Sequence, residues 1–441
     1  MTVAADLLYS DTERTLASAL ADLFSSRAAP ADVLARTEKP ETYDMDLWRT
    51  VAADIGLAGL LIPEALGGAG ASYRELAAAA ETFGAALAPV PYLGSAAVAT
   101  AVLLSAARSS AASPAAPAAS SPRAASVAPG AAVFAAPAAS TGTAAPSRAA
   151  PVSPAAELLR RMADGGLTAA LAVEFAARPA LSGGAQGRPG AGQQPAQFPA
   201  AVRVAGPGDQ AAGTTRLSGT IPAVADALPA DVLLVPAEGV PNGVYLVEAT
   251  APGVHRTPVV SLDMTRQLCD ISLDGAPARQ VVVGGAAAAA VDAGLTAGAA
   301  VLAAEQLGLA QRCLDMTVGY LKERRQFARP IGSFQALKHR LADLWTMITQ
   351  ARAASRYAAA CLADGDPDAP VAVALAKSAC CEAAVTAAQE CVQLHGGIGF
   401  TWEHLAHLYL KRAKAASIGF GTPGAHLATL AGLVNLPAPE A

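Results

Sequence analysis

The sequence predicts an α+β fold in which a helical N-terminal region precedes a β-rich middle region and a helical C-terminal region. Three observations lead to this prediction. Paired start signals introduce helices within the first hundred residues. Short β-rich runs separated by turns recur between residues 167 and 285. From residue 287 onwards, the apolar residues instead follow the helical period.

The N-terminal region carries explicit helix start signals. Ser10 followed by Glu13, and Ser72 followed by Glu75, both fit the capping box, in which each side chain bonds a free amide of the first helical turn. Between these pairs, apolar residues recur at helical spacing before a turn rich in proline and glycine: Leu47, Trp48, Val51, Ala52 and Ile55. The sequence therefore predicts several helices before about residue 106.

Two stretches interrupt this pattern. Residues from about 105 to 154 consist mainly of Ala, Pro and Ser, with three arginines and no acidic residue. Such a stretch buries too little apolar side chain to offset the entropy of ordering it, about 1–2 kcal/mol per residue. We therefore expect a disordered insert within a helical domain of residues 1–166. A second flexible insert is expected at about residues 181–199, between two strand-like segments.

The middle region, residues 167–286, contains eight β-rich runs at intervals of about 8 to 12 residues, a spacing typical of a compact antiparallel barrel or sandwich. Residues 287–441 show long apolar periodicity, for example in "VLAAEQLGLAQRCLDMTVGYL", and are expected to form a helical bundle.

Composition narrows the class of protein. A net charge of -5 and a pI near 5.7 argue against nucleic acid as a partner. The six cysteines show neither C-x-x-C nor zinc spacing, so reduced structural thiols are expected and no metal site.

The N-terminus is acidic where an export signal would be basic and apolar. No stretch has the Leu, Ile and Phe density of a membrane span, so we expect a cytoplasmic protein.

Two motifs carry most of the functional information. They are "ERRQFARPIGSFQALKHRLADL" at residues 323–344 and "QLHGGIGFTWEHLAHLYLKRAK" at residues 393–414. Both closely resemble segments of the acyl-CoA dehydrogenase family, in the family's order and separation. The resemblance covers about residues 6–433 outside the two inserts. It implies that family's fold, with an N-terminal helical domain, a middle antiparallel β domain and a C-terminal four-helix bundle.

The resemblance also implies a site for FAD. Arg324 matches the arginine that holds the FAD pyrophosphate, which suits the fixed fork of guanidinium donors, and Phe327 matches the aromatic residue near the adenosine. Gln335 matches a glutamine that reaches FAD bound by a neighbouring subunit. Three residues of the second motif match a segment that approaches FAD from across the dimer: Gln393, Gly396 and Gly397. An oligomer is therefore implied. Outside these motifs, a lone arginine would ordinarily be interpreted as a solvated charge on a helix. A Gly-Gly pair would ordinarily be interpreted as the end of a helix.

The middle region departs from the family pattern. The family's hydroxyl-bearing run beside the polar edge of the flavin has no counterpart in "LAVEFAARP", where Ala169 to Ala176 offer no hydroxyl. Ala223 lies about where the family has a tryptophan beside the flavin ring. The expected flavin ring environment is therefore incomplete, whereas the phosphate and adenosine contacts are present.

The catalytic base is the central question. The family's usual glutamate falls on Phe420, and the alternative position used by some members falls on Gly298. Neither residue can remove a proton from C2 of an acyl thioester. Glu305, seven residues after Gly298 and on the same helix face, is the candidate base. The alternative is that Glu305 pairs with an arginine such as Arg312 or with a cation of a partner chain.

The resemblance implies FAD-dependent oxidation of an acyl-CoA to the 2,3-enoyl-CoA, in fatty acid or steroid side-chain catabolism. The chain would act alone as a homo-oligomer, or in a hetero-oligomer with a second family member. An electron-transfer flavoprotein or a similar acceptor would take the electrons. One alternative is a base-less, non-catalytic partner subunit of a heteromeric acyl-CoA dehydrogenase. A second alternative is a flavin oxidase or monooxygenase on the same fold.

Overall fold

The computed structural model describes residues 6–112, 153–181, 198–204 and 214–436. Most of the second predicted insert lies outside these ranges, as do residues 113–152 of the first. The statements below concern the described residues.

The N-terminal region is helical, as predicted. Both capping boxes are confirmed, with Ser10 and Glu13 starting the first helix and Ser72 and Glu75 starting the fourth. The helices are α1 (Asp11–Arg27), α2 (Pro30–Arg36), α3 (Met45–Arg49), α4 (Tyr73–Ala86), α5 (Thr100–Ala112) and α6 (Pro154–Ala163). Two π-helical segments, Thr50–Asp54 and Leu93–Ala99, lead on from α3 and into α5.

Both ends of the first predicted insert belong to helices, which corrects the bounds that the composition indicated. Helix α5 continues through residues 105–112, and Ala106 is fully buried within it. At the other end, the Ser153 hydroxyl accepts from the amide of Ala156 and so caps α6. Alanine has a high helix propensity, so an alanine-rich segment forms a helix where a neighbouring helix covers it. Composition alone does not show whether such a neighbour is present.

The middle region forms a seven-stranded sheet. Its strands are β1 (Ala169–Leu171), β2 (Val202–Val204), β3 (Thr214–Ala225), β4 (Val232–Glu238), β5 (Gly243–Glu248), β6 (Val254–Val259) and β7 (Leu268–Val283). Strand β4 pairs with both β2 and β5, and the chain of pairings β2–β3–β7–β5 closes the sheet into a barrel. Strand β6 lies outside this ring, against β7. The apolar interior includes Leu217, Leu233, Val247 and Ile271.

Two details of the sheet differ from the prediction. The last two predicted runs are one continuous 16-residue strand, β7. The sheet is also mixed, because β1 and β2 both pair in parallel with β4, although the other pairings are antiparallel. A parallel pairing needs a long crossover connection, and the chain between β1 and β4, and between β2 and β4 by way of β3, is long enough to supply one. Alternation of residues along a strand does not reveal the direction of its neighbour.

The C-terminal region is a helical bundle of α7 (Gly285–Glu323), α8 (Gln335–Asp364), α9 (Ala369–His395), α10 (Ala406–Ala416) and α11 (Pro423–Leu433). A short hairpin of β8 (Arg325–Gln326) and β9 (Arg329–Pro330) connects α7 to α8. The first four helices pack around a core rich in alanine, and α11 lies on α9.

Glycines let the N-terminal helices dock closely on this bundle. A Cβ placed on Gly308 of α7 would lie 1.8 Å from the carbonyl oxygen of Glu81 in α4. A Cβ on Gly84 of α4 would lie 1.9 Å from the carbonyl oxygen of Glu305 in α7. The two helices therefore cross with their backbones in contact, and no larger residue fits at either position.

Three helical segments are long and apolar enough to span a membrane by length and composition alone: Leu93–Ala111, Gly285–Glu323 and Ala369–Phe400. The prediction concerned the density of Leu, Ile and Phe, which this finding does not contradict, since runs of alanine give a high mean hydropathy without large side chains. In each segment, 67% of the most apolar window is buried inside the protein. Packing within the fold accounts for this burial.

Candidate functional site

The two sequence motifs meet at one end of the C-terminal bundle. Arg324 directly follows α7, Gln335 is the first residue of α8, and Gln393 lies in the last turn of α9. The ring of Tyr320, one turn before Arg324, stacks on His395 with 4.6 Å between the ring centres. An ion pair of 2.7 Å between Arg340 and Glu390 joins the adjacent ends of α8 and α9. The fold thus brings the two predicted flavin-contact segments together.

This end of the bundle is open. The predicted FAD contacts are all exposed: Arg324, Phe327, Gln335, Gln393, Gly396 and Gly397. The ring of Phe327 is 86% exposed, a high value for a large apolar side chain. A Cβ at Gly396 or Gly397 would meet no atom within 4 Å, and Gly396 has a φ of +63°. Among the described residues, Arg324 takes part in no ion pair. A free guanidinium, two amides and open backbone fit a diphosphate-bearing cofactor.

The histidines of the two motifs differ in their surroundings. His395 is buried, and its Nδ1 lies 2.6 Å from the carbonyl oxygen of Cys391. His339 is exposed on α8. Within the described part of the chain, no three His, Cys, Asp or Glu side chains cluster as a metal site would require. All six cysteines are buried and free, which confirms the expectation of structural thiols.

A second region surrounds Phe420, in the turn between α10 and α11. Its backbone N–H donates to the carbonyl oxygen of Phe175 over 2.8 Å, and its own carbonyl oxygen lies 2.8 Å from Nε2 of His426. Phe420 has a φ of +53°, a strained value for a residue with a Cβ. Thr422 then caps α11 through its hydroxyl. The hydrogen bonds on both sides of Phe420 hold this conformation in place.

The phenyl ring of Phe420 lies directly on the backbone of Gly298 in α7. A Cβ placed on Gly298 would lie 2.7 Å from Cζ of the ring, so any larger residue at 298 would displace it. The two positions that the resemblance assigns to the family's carboxylate are therefore neighbours in this chain. An aromatic ring and a glycine fill them, and the ring is 5% exposed.

Phe175 connects three segments that are separate in the sequence. It follows β1, in the segment without the family's hydroxyl run, and its N–H donates to the carbonyl oxygen of Ala223 over 3.0 Å. Ala223 lies about where the resemblance places the family's tryptophan. The carbonyl of Phe175 accepts from Phe420, and the two rings meet edge to face with centroids 5.6 Å apart. Sequence analysis gave no signal for Phe175 because an isolated aromatic residue after a strand is ordinary core.

The space left around these residues is small. A cavity of about 20 Å³ is lined by apolar side chains that include Leu93, Val98, Phe175 and Phe420, together with the buried Asp226 and the exposed Glu174. Such a volume holds about one water molecule. Both Asp226 oxygens are engaged, by the Tyr43 hydroxyl and by the N–H of Gly94. The cavity as it stands is too small for an acyl group.

Glu305 lies elsewhere, in a buried network of charges. Oε1 accepts from Nε of Arg412 over 2.8 Å, and Oε2 accepts from Nη2 of Arg266 over 2.6 Å and from the Tyr92 hydroxyl. Arg412 also contacts Asp263 over 3.2 Å. The carboxylate is thus paired with two arginines, Arg266 and Arg412, and not with the expected Arg312.

The electrostatics follow from this pairing. Burial alone would raise the pKa of Glu305, but the two arginines and the hydrogen bonds from Arg412 and Tyr92 overcome that effect and lower the pKa to about 2. Glu305 is therefore a carboxylate at neutral pH, with both oxygens occupied. The described residues that line the cavity beside Phe420 do not include it.

Sequence analysis did not identify Arg266 or Arg412. Arg412 lies inside the second motif, on a face of α10 otherwise occupied by Leu408, Tyr409 and Ala413. An arginine on an otherwise apolar helix face was the available signal that it is buried and paired. Arg266 lies in the loop between β6 and β7, where nothing in the local sequence marks it as buried.

Comparison with known proteins gives concordant results. The family model described as the acyl-CoA dehydrogenase N-terminal domain matches residues 10–112, and that described as the acyl-CoA dehydrogenase C-terminal domain matches residues 287–433. The acyl-CoA dehydrogenase IpdE2 of Mycobacterium tuberculosis is 32% identical over 407 residues, covering 92% of each protein.

Two solved structures are similar over nearly the whole chain. The ChsE4–ChsE5 complex from Mycobacterium tuberculosis is 26% identical with a TM-score of 0.72, covering 98% of this chain and 100% of that one. A variant of the Tcur3481–Tcur3483 steroid ACAD is 28% identical with a TM-score of 0.71, covering 96% of this chain and 97% of that one.

Proposed function

This chain belongs to the acyl-CoA dehydrogenase family, and from that premise we propose that it is a partner subunit of a hetero-oligomeric acyl-CoA dehydrogenase. In this proposal it contributes the diphosphate and adenosine contacts of a flavin site. A second family member holds the flavin ring and the acyl-CoA, and supplies the catalytic base. The complex oxidises an acyl-CoA thioester to the 2,3-enoyl-CoA.

The contact between Phe420 and Gly298 carries this proposal. Removal of the C2 proton requires a carboxylate over the thioester, and both family positions for it are filled by a ring packed on a helix backbone. Phe175 also ties together the two segments that would flank a flavin ring and the turn that would carry the base. Phe175 and Phe420 also line a cavity of about 20 Å³, which is too small for an acyl group.

The other half of a flavin site is present. Arg324, Gln335 and Gln393 are exposed at one end of the bundle, beside the open backbone of Gly396 and Gly397. We propose that these residues, with Phe327, hold the phosphates and adenosine of FAD. When bound there, FAD would supply the hydride-accepting chemistry of the reaction. This chain's part is to bind and orient the cofactor at the subunit boundary.

Glu305 is a poor candidate for the base. A base must have a free oxygen near the substrate and a pKa near the working pH. Glu305 has neither, since Arg266 and Arg412 occupy its oxygens and lower its pKa to about 2. We propose that it joins the β6–β7 loop to the bundle.

No described feature favours an oxidase or monooxygenase.

The substrate class is a proposal by similarity. The similar solved structures include one named as a steroid ACAD, and both are named for two chains. We propose a steroid-derived acyl-CoA as substrate, and an electron-transfer flavoprotein or a similar protein as electron acceptor. The six free thiols support a reducing, cytoplasmic location.

Co-expression with a second family member from the same genome tests the proposal. We expect the two chains to elute together, with bound FAD and acyl-CoA dehydrogenation that this chain lacks alone. Replacing the glutamate of the partner's base turn should abolish activity while flavin content stays unchanged. Rapid turnover by a homo-oligomer of this chain would overturn the proposal.

A further inference from the structure

Lys377 of α9 is fully buried in the C-terminal bundle. Among the described residues, no carboxylate lies within ion-pair distance of its ammonium group. Its Nζ instead contacts the thiol of Cys381, one helical turn later, and the carbonyl oxygen of Ala416. A buried ammonium group is normally paired with a carboxylate, so this environment is unusual.

The amine of Lys377 lies beside the thiol of Cys381, close enough for the two groups to react. Nζ of Lys377 is 2.9 Å from Sγ of Cys381 and 3.0 Å from the oxygen of Ala416. Sγ of Cys381 is in turn 3.1 Å from Oε1 of Gln306. The amide nitrogen of Gln306 is buried and meets no acceptor among the described residues. A small polar oxidant beside this amide would find a hydrogen-bond partner next to the sulfur.

We propose that Lys377 and Cys381 form a covalent sulfenamide cross-link when the protein meets hydrogen peroxide. Peroxide oxidises the thiol to a sulfenic acid and is itself reduced to water, a two-electron step. Lys377, after releasing its ammonium proton to solvent, attacks the sulfur. The N–S bond forms, the S–O bond breaks, and the departing hydroxyl leaves as water with one amine proton. Two equivalents of an external thiol reverse the link and are oxidised to a disulfide.

The cross-link would alter the turn that holds Phe420. Ala416 is the last residue of α10, and the ammonium group of Lys377 stabilises the negative end of that helix. A sulfenamide nitrogen is uncharged at neutral pH and is drawn towards Cys381. The carbonyl oxygen of Ala416, which leads directly into residues 417–422, would then lose this interaction. The inference is independent of the proposed function, since it needs only the folded chain.

The experiment treats the purified full chain with hydrogen peroxide, alone or in the complex in which it is isolated. A vicinal disulfide between Cys380 and Cys381 would change the peptide mass equally, so Cys380→Ser is the working background. We expect the peptide spanning Lys377 and Cys381 to become lighter by two hydrogen atoms. Trypsin should no longer cleave after Lys377, and dithiothreitol should restore both properties.

Cys381→Ser in the same background is the matched negative control, since both cysteines are buried on the same helix. In the oxidised Cys380→Ser protein, we also expect the amides of residues 417–422 to exchange with deuterium faster, and no such change in the negative control. Oxidation of Cys381 only to sulfinic or sulfonic acid, with Lys377 still cleavable, would overturn the proposal. Equal cross-linking in urea would do so too, because the native geometry would then be irrelevant.

Discussion

Arg412 donates from Nε to Oε1 of Glu305 over 2.8 Å, which joins α10 to α7 in a site where both side chains are almost fully buried. Arg266 holds the other oxygen of the same carboxylate from the β6–β7 loop. With the Tyr92 hydroxyl, which bonds that same oxygen, four parts of the chain meet at one carboxylate. The pairing explains why a glutamate lies in the core of an otherwise apolar helix.

Glu305→Gln should destabilise the protein by about 3 kcal/mol, because it leaves two buried guanidinium groups without their counter-charge. Urea unfolding at neutral pH measures the change. Glu323→Gln is the matched control on the same helix, since Glu323 is exposed, and should leave stability within about 0.5 kcal/mol of wild type. A Glu305→Gln protein with unchanged stability and selectively lost turnover would instead identify Glu305 as a base.

The contribution of Glu305 should also depend on pH. Its folded pKa of about 2 lies below the ordinary value of 4.5, so its stabilisation is present above about pH 4.5 and is lost as the pH falls towards 2. The stability difference between wild type and Glu305→Gln should therefore be constant from about pH 7 to pH 5 and shrink below that. Urea unfolding of both proteins across this range is the measurement. A difference that grows as the pH falls would contradict the assigned pairing.

Arg324→Ala should weaken FAD binding by about 2–3 kcal/mol, as for a lost charge-assisted hydrogen-bonded pair. Equilibrium dialysis of the complex against FAD measures this. Arg325→Ala is the control, because it removes the same charge from the next residue of the same exposed segment. Equal effects of the two variants would show that general charge, and not the position of Arg324, holds the cofactor.

The isolated chain should oxidise acyl-CoA substrates about 100- to 10,000-fold more slowly than the complex, since neither Phe420 nor Gly298 can act as a base. Phe420→Glu should recover little of this rate, because Phe175 keeps the neighbouring space closed. Steady-state assays with straight-chain, branched and steroid acyl-CoAs are the measurement. Substantial activity of the isolated Phe420→Glu protein would show that the ring alone had closed the site.

Deletion of residues 113–152 with a short linker should leave cooperative unfolding intact, because the closure entropy of a loop grows slowly with its length. The deletion must stop short of Ala112 and Ser153, which belong to α5 and to the cap of α6. Calorimetry compares the two proteins. Aggregation or a broad transition in the shortened protein would show that the segment contributes to the core.

The sequence by itself determined the fold class, the order of the elements and the position of the flavin motifs. Capping boxes, strand spacing and helical periodicity are local properties of the sequence. They specify the secondary structure wherever the local preference agrees with the final packing. The motifs at Arg324 and Gly396 were also readable, because they lie at helix ends that α7 and α9 bring to the same end of the bundle.

The tertiary structure alone decided the parallel pairings of β4, the partners of Glu305 and the closure of the space around Phe420. Arg266, Glu305 and Arg412 are far apart in the chain, and nothing in their local sequences encodes which charge meets which. In the sequence, Phe175 and Phe420 are likewise ordinary apolar residues. The fold places their rings side by side and the ring of Phe420 on Gly298. Long-range contacts depend on how whole elements pack, and pattern within one element does not contain that information.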